Sequence, residues 1–369
     1  MHNHFEVPFN NLREQSLEFS SRLLHEIAAI LESGVFINGE KTRDFSSQLA
    51  SFTEIPFLIP VGNGTDALEI ALRSLGIGRD DRVVTVANAG GYGTAAIRQV
   101  GAEPTYVDVD DNDLQLSPRA LSELLDSDIT KPKAVIVTHL FGAIGQVEEI
   151  VRICKENAIP VIEDCAQAMG TSSRGRHAGS FGTVATFSFY PTKNLGGVGD
   201  AGAIATHDET VARKAKSLAQ YGWEAKYSVS APFGRNSRID EIQAAALSLR
   251  LTELVQANNA RKLVYERLES SAPLIDFVHR RHPNFNAHLA VIRTTNRSSV
   301  QDHFQRRKIE TLVHYPVPDH WQSAYPPSGV RLPITEKNSL QILSIPCHPR
   351  LDESQIEAIT DALQEAPQV

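Results

Sequence analysis

The chain has 369 residues, 41% hydrophobic and 22% charged, the mix of an ordinary globular protein with room for one large domain and a smaller one. Its formal net charge of −8 argues against a nucleic-acid partner, which would need a basic face. Three widely spaced cysteines (Cys154, Cys165, Cys347) give neither a metal motif nor a disulfide framework. A polar Met1–Asn10 and the lack of any apolar run near ~18 residues lead us to expect a cytoplasmic chain without membrane contact.

Leu17, Leu24, Ile27, Ile30 and Leu31 recur at helical spacing and predict an amphipathic helix over about 12–32, ended by Gly34. Phe57–Val61 reads as a short strand, turned by Gly62-Asn63-Gly64 into a helix from Thr65 to Leu75. Strands follow at 82–87, 104–109, 134–139 and 160–163, with helices at 94–100, 117–125 and 147–157 between them. Ser117-Pro118 has the form of an N-cap with proline in the first turn. Such alternation over roughly 150 residues predicts crossover units, hence an α/β fold with a mostly parallel sheet covered by helices on both faces. A long helical run from Ile239 to about Ser270 changes the character of the chain. After it come a strand at 289–293, a helix at 299–307, a proline-rich loop at 314–327 and a closing helix at 353–364. The expected division is a large α/β domain over 1–245 and a smaller α+β domain over 246–369.

The chemistry is expected at Phe187–Gly197. Val184, Thr186, Phe187 and Phe189 are strand formers, and Pro191 has no N–H to continue a ladder. Lys193 follows at once. An ammonium at the end of a buried strand loses hydration, which lowers its pKa, and an amine that deprotonates readily can form a Schiff base. Three further segments fit this reading. Gly62–Thr65, between strand and helix, can hold a phosphate on backbone N–H groups. Asp164 and Gln167 stand at a strand end, where a carboxylate can keep a pyridine nitrogen protonated. Gly234–Arg238 is a polar loop before the long helix. Each alone has an ordinary explanation: a turn, a helix cap, a solvated lysine. Together, in this order, they point to pyridoxal 5′-phosphate carried on Lys193. Gly62–Ala67 and Gly197–Gly202 also fit dinucleotide patterns, but the first lacks an acid at the end of the next strand and the second precedes a strand. The histidines of the 314–320 segment have no Cys or Glu spacing to suggest a metal.

At these residues the chain resembles the sugar aminotransferases of the DegT/DnrJ/EryC1/StrS family, which share the fold of aspartate aminotransferase (fold type I). The similarity runs from Val7-Pro8-Phe9 to the last helix. It is densest at Gly62–Leu68, Glu163–Ala168, Gly179–Gly182, Phe187–Leu195 and Asn236–Ala245. The resemblance implies Lys193 as Schiff-base lysine and proton shuttle, Asp164 on the pyridine nitrogen and Gln167 on the ring hydroxyl. It implies Gly64, Thr65 and Ser188 on the phosphate, with Asn236 reaching the phosphate of the neighbouring subunit in a homodimer. Tyr190, Arg238, Tyr315 and His320 would bind substrate. It further implies L-glutamate as amino donor and a nucleotide-linked keto-sugar as acceptor, aminated at C3 of a dTDP-3-keto-6-deoxyhexose. The alternatives are amination at C4 of a dTDP- or UDP-4-keto-6-deoxy sugar, a nicotinamide-dependent sugar-nucleotide reductase, and a non-catalytic sensor. One departure stands out. The family's loop after the second strand carries a ring that stacks on the cofactor, whereas Asn88–Thr94 here places a glycine there, and Tyr92 is expected to swing in instead.

Overall fold

The computed structural model describes residues 5–127, 131–326 and 328–367. The chain opens with helices α1 (Leu12–Leu17), α2 (Ser20–Ser33) and α3 (Glu40–Thr53). The single helix expected over 12–32 is broken because Phe19 turns inward, 2% exposed, beneath the guanidinium of Arg250. The sequence pattern gives no warning of α3. Its buried stripe is short (Phe45, Leu49), and its N-terminus has no local side-chain cap. Glu241 supplies one from afar, accepting the N–H groups of Gly39, Lys41 and Thr42.

β1 (Phe57–Val61), α4 (Gly64–Ser74), β2 (Arg82–Thr85), α5 (Tyr92–Gln99), β3 (Glu103–Tyr106), α6 (Pro118–Leu125), β4 (Ala134–Thr138), α7 (Val147–Glu156) and β5 (Val161–Asp164) alternate as expected. Asn63 caps α4 by accepting from Asp66 N–H, and Ser117 caps α6 by accepting from Ala120 N–H. β6 (Val184–Ser188) and β7 (Gly202–Thr206) complete a seven-stranded sheet of order β1-β7-β6-β5-β4-β2-β3. β7 is antiparallel to both neighbours, and the other pairings are parallel. Side chains along β4 alternate between two cores: Val135 and Val137 pack on one face of the sheet, Ala134 and Ile136 on the other. Both faces are therefore covered.

After α8 (Glu209–Leu218), the long run expected from Ile239 is two helices, α9 (Glu241–Leu251) and α10 (Leu254–Ser271). Buried Leu251 and Leu254 straddle the break. A second sheet is antiparallel throughout, in the order β8 (Asp276–Phe277), β9 (Ala290–Arg293), β10 (Ile342–Ile345). It carries α11 (Arg297–Arg306), α12 (Pro333–Gln341) and α13 (Glu353–Gln364), the last opened by a capping box between Asp352 and Gln355. Its core is not built from the C-terminal part alone, because Val7 and Ala143 pack within it beside Tyr265, Phe304 and Ile359. Among the described residues no helix is long and apolar enough to cross a membrane.

Candidate active site

β1, β5 and β6 point the same way, so the segments that follow them meet at one edge of the sheet. A cavity of about 770 Å³ opens there, within the range of small-molecule sites. Gly64, Thr65, Tyr92, Asp164, Gln167, Ser188, Tyr190, Lys193 and Tyr315 all line it. Residues spread over 250 positions of sequence thus share one wall: most follow parallel strands that end at the same edge, and Tyr315 reaches it from the segment between α11 and α12.

Lys193 is ringed by protein, and desolvation lowers its pKa to about 8 while the charge of Asp164 pulls the other way. Burial raises the pKa of Asp164 above the usual carboxylate range, against the N–H of Ala166 at 3.1 Å and the positive charge of Lys193. The pair therefore combines an amine that is easily freed of its proton with an acid short of donors. Gln167 is held in one orientation. Its Oε1 accepts from Phe141 N–H at 2.6 Å, and its Nε2 donates to the Tyr315 hydroxyl at 3.2 Å.

The other end of the cavity suits an anion. In the first turn of α4, Asp66 N–H goes to the Asn63 side chain and Ala67 N–H to the Asn63 carbonyl. Gly64 and Thr65 N–H have no protein partner among the described residues, and both residues line the cavity at the positive end of the helix. Ser188 closes this cradle so tightly that a Cβ on Gly64 would lie 2.7 Å from the Ser188 Cβ.

The loop after β2 explains the missing ring. Gly90 has a positive φ of 77°, and a Cβ there would meet the Tyr315 ring at 2.8 Å. Tyr315 thus occupies the space that a side chain at 90 would need. Tyr92 lines the same cavity, half exposed and edge-on to Tyr315 with ring centroids 6.1 Å apart.

Three of the expected residues lie outside this cavity. Asn236 is exposed on the surface of its own chain. Arg238 borders a larger, more open groove of about 1600 Å³ among Arg73, Arg79, Arg98 and Arg213, which holds no buried acid–lysine pair. His320 is buried against Glu336, 3.3 Å away, rather than facing the cavity. Conversely, Phe9, Asn10, His288 and His314 line the cavity without having been singled out as site residues. His314 opens the segment that contains Tyr315; burial lowers its pKa to about 4, with the charge of Lys193 acting in the same direction. His288 follows His279 and His282 into an apolar stretch and carries no sequence signal that sets it apart from them.

A family model described as the DegT/DnrJ/EryC1/StrS aminotransferase family matches residues 18–364. The chain belongs to this family. Over 367 residues it is 36% identical to the dTDP-3-amino-3,4,6-trideoxy-alpha-D-glucose transaminase of Streptomyces venezuelae, covering 97% of this chain and 96% of that one. It is 34% identical over 370 residues to the pleiotropic regulatory protein of Geobacillus stearothermophilus, covering 97% and 98%. A crystal structure of S. venezuelae DesV in complex with a ketimine intermediate shares the fold with a TM-score of 0.92 and 35% identity, over 97% of this chain and 98% of that chain. The family's α/β aminotransferase fold, implied by the motifs, is therefore the fold of this member.

Proposed function

We propose that this family member uses pyridoxal 5′-phosphate to move an amino group from L-glutamate to a nucleotide-linked keto-sugar, at C3 of a dTDP-3-keto-6-deoxyhexose. The observation that carries this is the pairing of Lys193, with its lowered pKa, and donor-poor Asp164 at adjoining strand ends, beside the free N–H groups of Gly64 and Thr65. These residues fit the cofactor: an amine for its aldehyde, an acid for its ring nitrogen, and a helix terminus with Ser188 for its phosphate. When bound, the cofactor supplies the electron sink that amino transfer requires.

The chain's own residues do the rest. Lys193 would hold the cofactor through its amine and, once free, would move the proton at the substrate carbon, a task suited to an amine titrating near 8. Asp164 would place its carboxylate against the ring nitrogen of the cofactor, whose positive charge would offset the burial of the acid. Gln167 presents its NH₂ to the cavity, where a ring hydroxyl can accept. Tyr190 and Tyr315 form the wall against which the sugar would rest, and the choice of C3 follows the product named for the S. venezuelae relative. Asn236 and Arg238, turned away from their own cavity, suit a homodimer in which each chain completes the other's site.

The test is direct. Purified protein supplied with pyridoxal phosphate is expected to turn yellow, and borohydride is expected to fix the cofactor to the peptide containing Lys193. Glutamate with a panel of dTDP- and UDP-keto-sugars should then yield an amino sugar identified by mass and NMR. A colourless protein with no tag on that peptide would overturn the assignment.

A further inference from the structure

His288 is a second group beside Lys193 whose chemistry is fixed by its surroundings. It is 8% exposed and lines the cavity. Its Nδ1 lies 2.7 Å from Asn194 Oδ1. The Nδ2 of Asn194 donates to Asn258 Oδ1 at 2.6 Å, and the Nδ2 of Asn258 donates to the Met169 carbonyl at 3.0 Å. Asn194 and Asn258 are both buried.

This chain of bonds has one direction. A backbone carbonyl only accepts, so Asn258 must turn its NH₂ toward Met169. Its oxygen then faces Asn194, which must answer with its own NH₂. That leaves the Asn194 oxygen against the imidazole, so the proton sits on Nδ1. The tautomer of His288 is therefore set by a peptide group 119 positions earlier in the chain, through two amides that cannot flip without opposing like atoms. Nε2 is left as a lone pair. Among the described residues it has no hydrogen-bond partner, and it is not among the buried unpartnered atoms, so its open side is the cavity. Burial, with the adjacent positive charge of Lys193, keeps the ring neutral by lowering its pKa well below the usual histidine value.

We propose that His288 is a further substrate-contacting residue, with Nε2 held as a bare acceptor that takes a hydrogen bond from an O–H or N–H of the substrate seated beside Lys193. A carbonyl or carboxylate oxygen placed at the same point would meet a lone pair and be rejected. The idea rests on the proposed amino transfer for the identity of the substrate, though the tautomer itself does not. In the family reaction both reactants carry donors: hydroxyls on the sugar and an ammonium on glutamate. The two half-reactions separate them.

Two measurements test this. In apoprotein labelled with ¹⁵N-histidine, the His288 resonances, assigned by comparison with His288→Gln, should show a protonated Nδ1 and a bare Nε2 at pH 7. In Asn258→Leu, which removes the anchor, this preference should weaken. Finding the Nε2–H tautomer or a doubly protonated ring in the parent protein would overturn the proposal. In single half-reactions, His288→Phe, which keeps the ring's bulk, should raise the KM of the substrate whose donor it receives about tenfold, with kcat nearly unchanged. His288→Gln, whose amide oxygen reaches near the Nε2 position, should recover much of the loss. A rise for glutamate alone identifies an ammonium donor, and a rise for the keto-sugar alone a hydroxyl. No rise for either refutes the contact. If the parent protein takes no amino group from glutamate while the tautomer is as stated, it is the proposed function that fails and not the relay.

Discussion

Glu163 and Asp164 are neighbours on β5, both acidic and both buried, and the protein treats them in opposite ways. The carboxylate of Glu163 accepts from Gly179, Phe181 and Gly182 N–H at 2.9, 2.7 and 2.5 Å and from His139 Nε2 at 2.9 Å. Asp164, on the opposite face of the strand, receives one backbone N–H, has the Thr138 hydroxyl as a further nearby donor, and otherwise looks into the cavity. A saturated carboxylate stitches the loop at 179–182 to the sheet and has no capacity left for a ligand. An undersupplied one is unstable by itself and finds its partners in what binds. The contrast separates a residue that maintains the fold from one that serves the reaction.

The difference can be broken experimentally. The largest effect is expected from Lys193→Ala, which should abolish turnover in a coupled glutamate assay while leaving the far-ultraviolet spectrum intact; normal activity would remove the basis of the scheme. Asp164→Asn keeps the shape and loses the charge. It should lower kcat on the order of 10²- to 10³-fold with little change in denaturant midpoint. Glu163→Gln should do the reverse. Its NH₂ must oppose at least one of four inward donors, so stability should fall by about 3 kcal/mol or more by denaturant titration, with near-parent activity in whatever remains folded. Equal effects of these two substitutions on activity would erase the distinction.

Asp319 extends the comparison. It accepts from Thr94 Oγ1 at 2.5 Å near the start of α5, its Oδ1 has no partner among the described residues, and burial raises its pKa to about 6. A carboxyl that holds its proton more tightly when folded weakens the fold as pH rises from the unfolded pKa near ~4 through the folded one. Asp319 therefore withdraws stability over about pH 4–6, while buried histidines held neutral, such as His279, His314 and His348, add stability over the same range. Asp319→Asn should remove only its own component, raising stability at pH 6 relative to pH 4 by roughly 1–3 kcal/mol over the parent in thermal melts at matched pH. Asp113, also raised to about 6 by burial, would leave a residual slope in that variant. The smallest effect concerns Lys193. With its pKa near 8, only about a tenth of the amine is free at pH 7, so the rate of covalent cofactor uptake should rise nearly tenfold between pH 7 and pH 9 and then level off.

The sequence reveals those parts of the molecule whose signals are local. The strand–helix alternation over 57–164 follows from apolar runs, caps and glycines a few residues apart, and Asp164 and Lys193 stand at strand ends because the strands end there. Features held across long separations stay hidden. The cap of α3 is Glu241, the ring opposing Gly90 is Tyr315, and the tautomer of His288 depends on Asn194, Asn258 and Met169. His320 and Tyr315 are close in sequence, yet the 3₁₀ turn at Asp319–Trp321 and the bond to Glu336 leave only Tyr315 on the cavity.

The near-contact of Gly64 with Ser188 carries one further consequence. The two flanks of the anion cradle draw on a single allowance of volume, and in this chain the β6 flank has taken all of it. Bulk can appear at position 64 only if it disappears at 188 and the β6 backbone, whose Cα at 188 would lie 3.2 Å from the new atom, also yields, so a change at 64 depends on one at 188. An engineer seeking to resize the cradle would have to move both in one step.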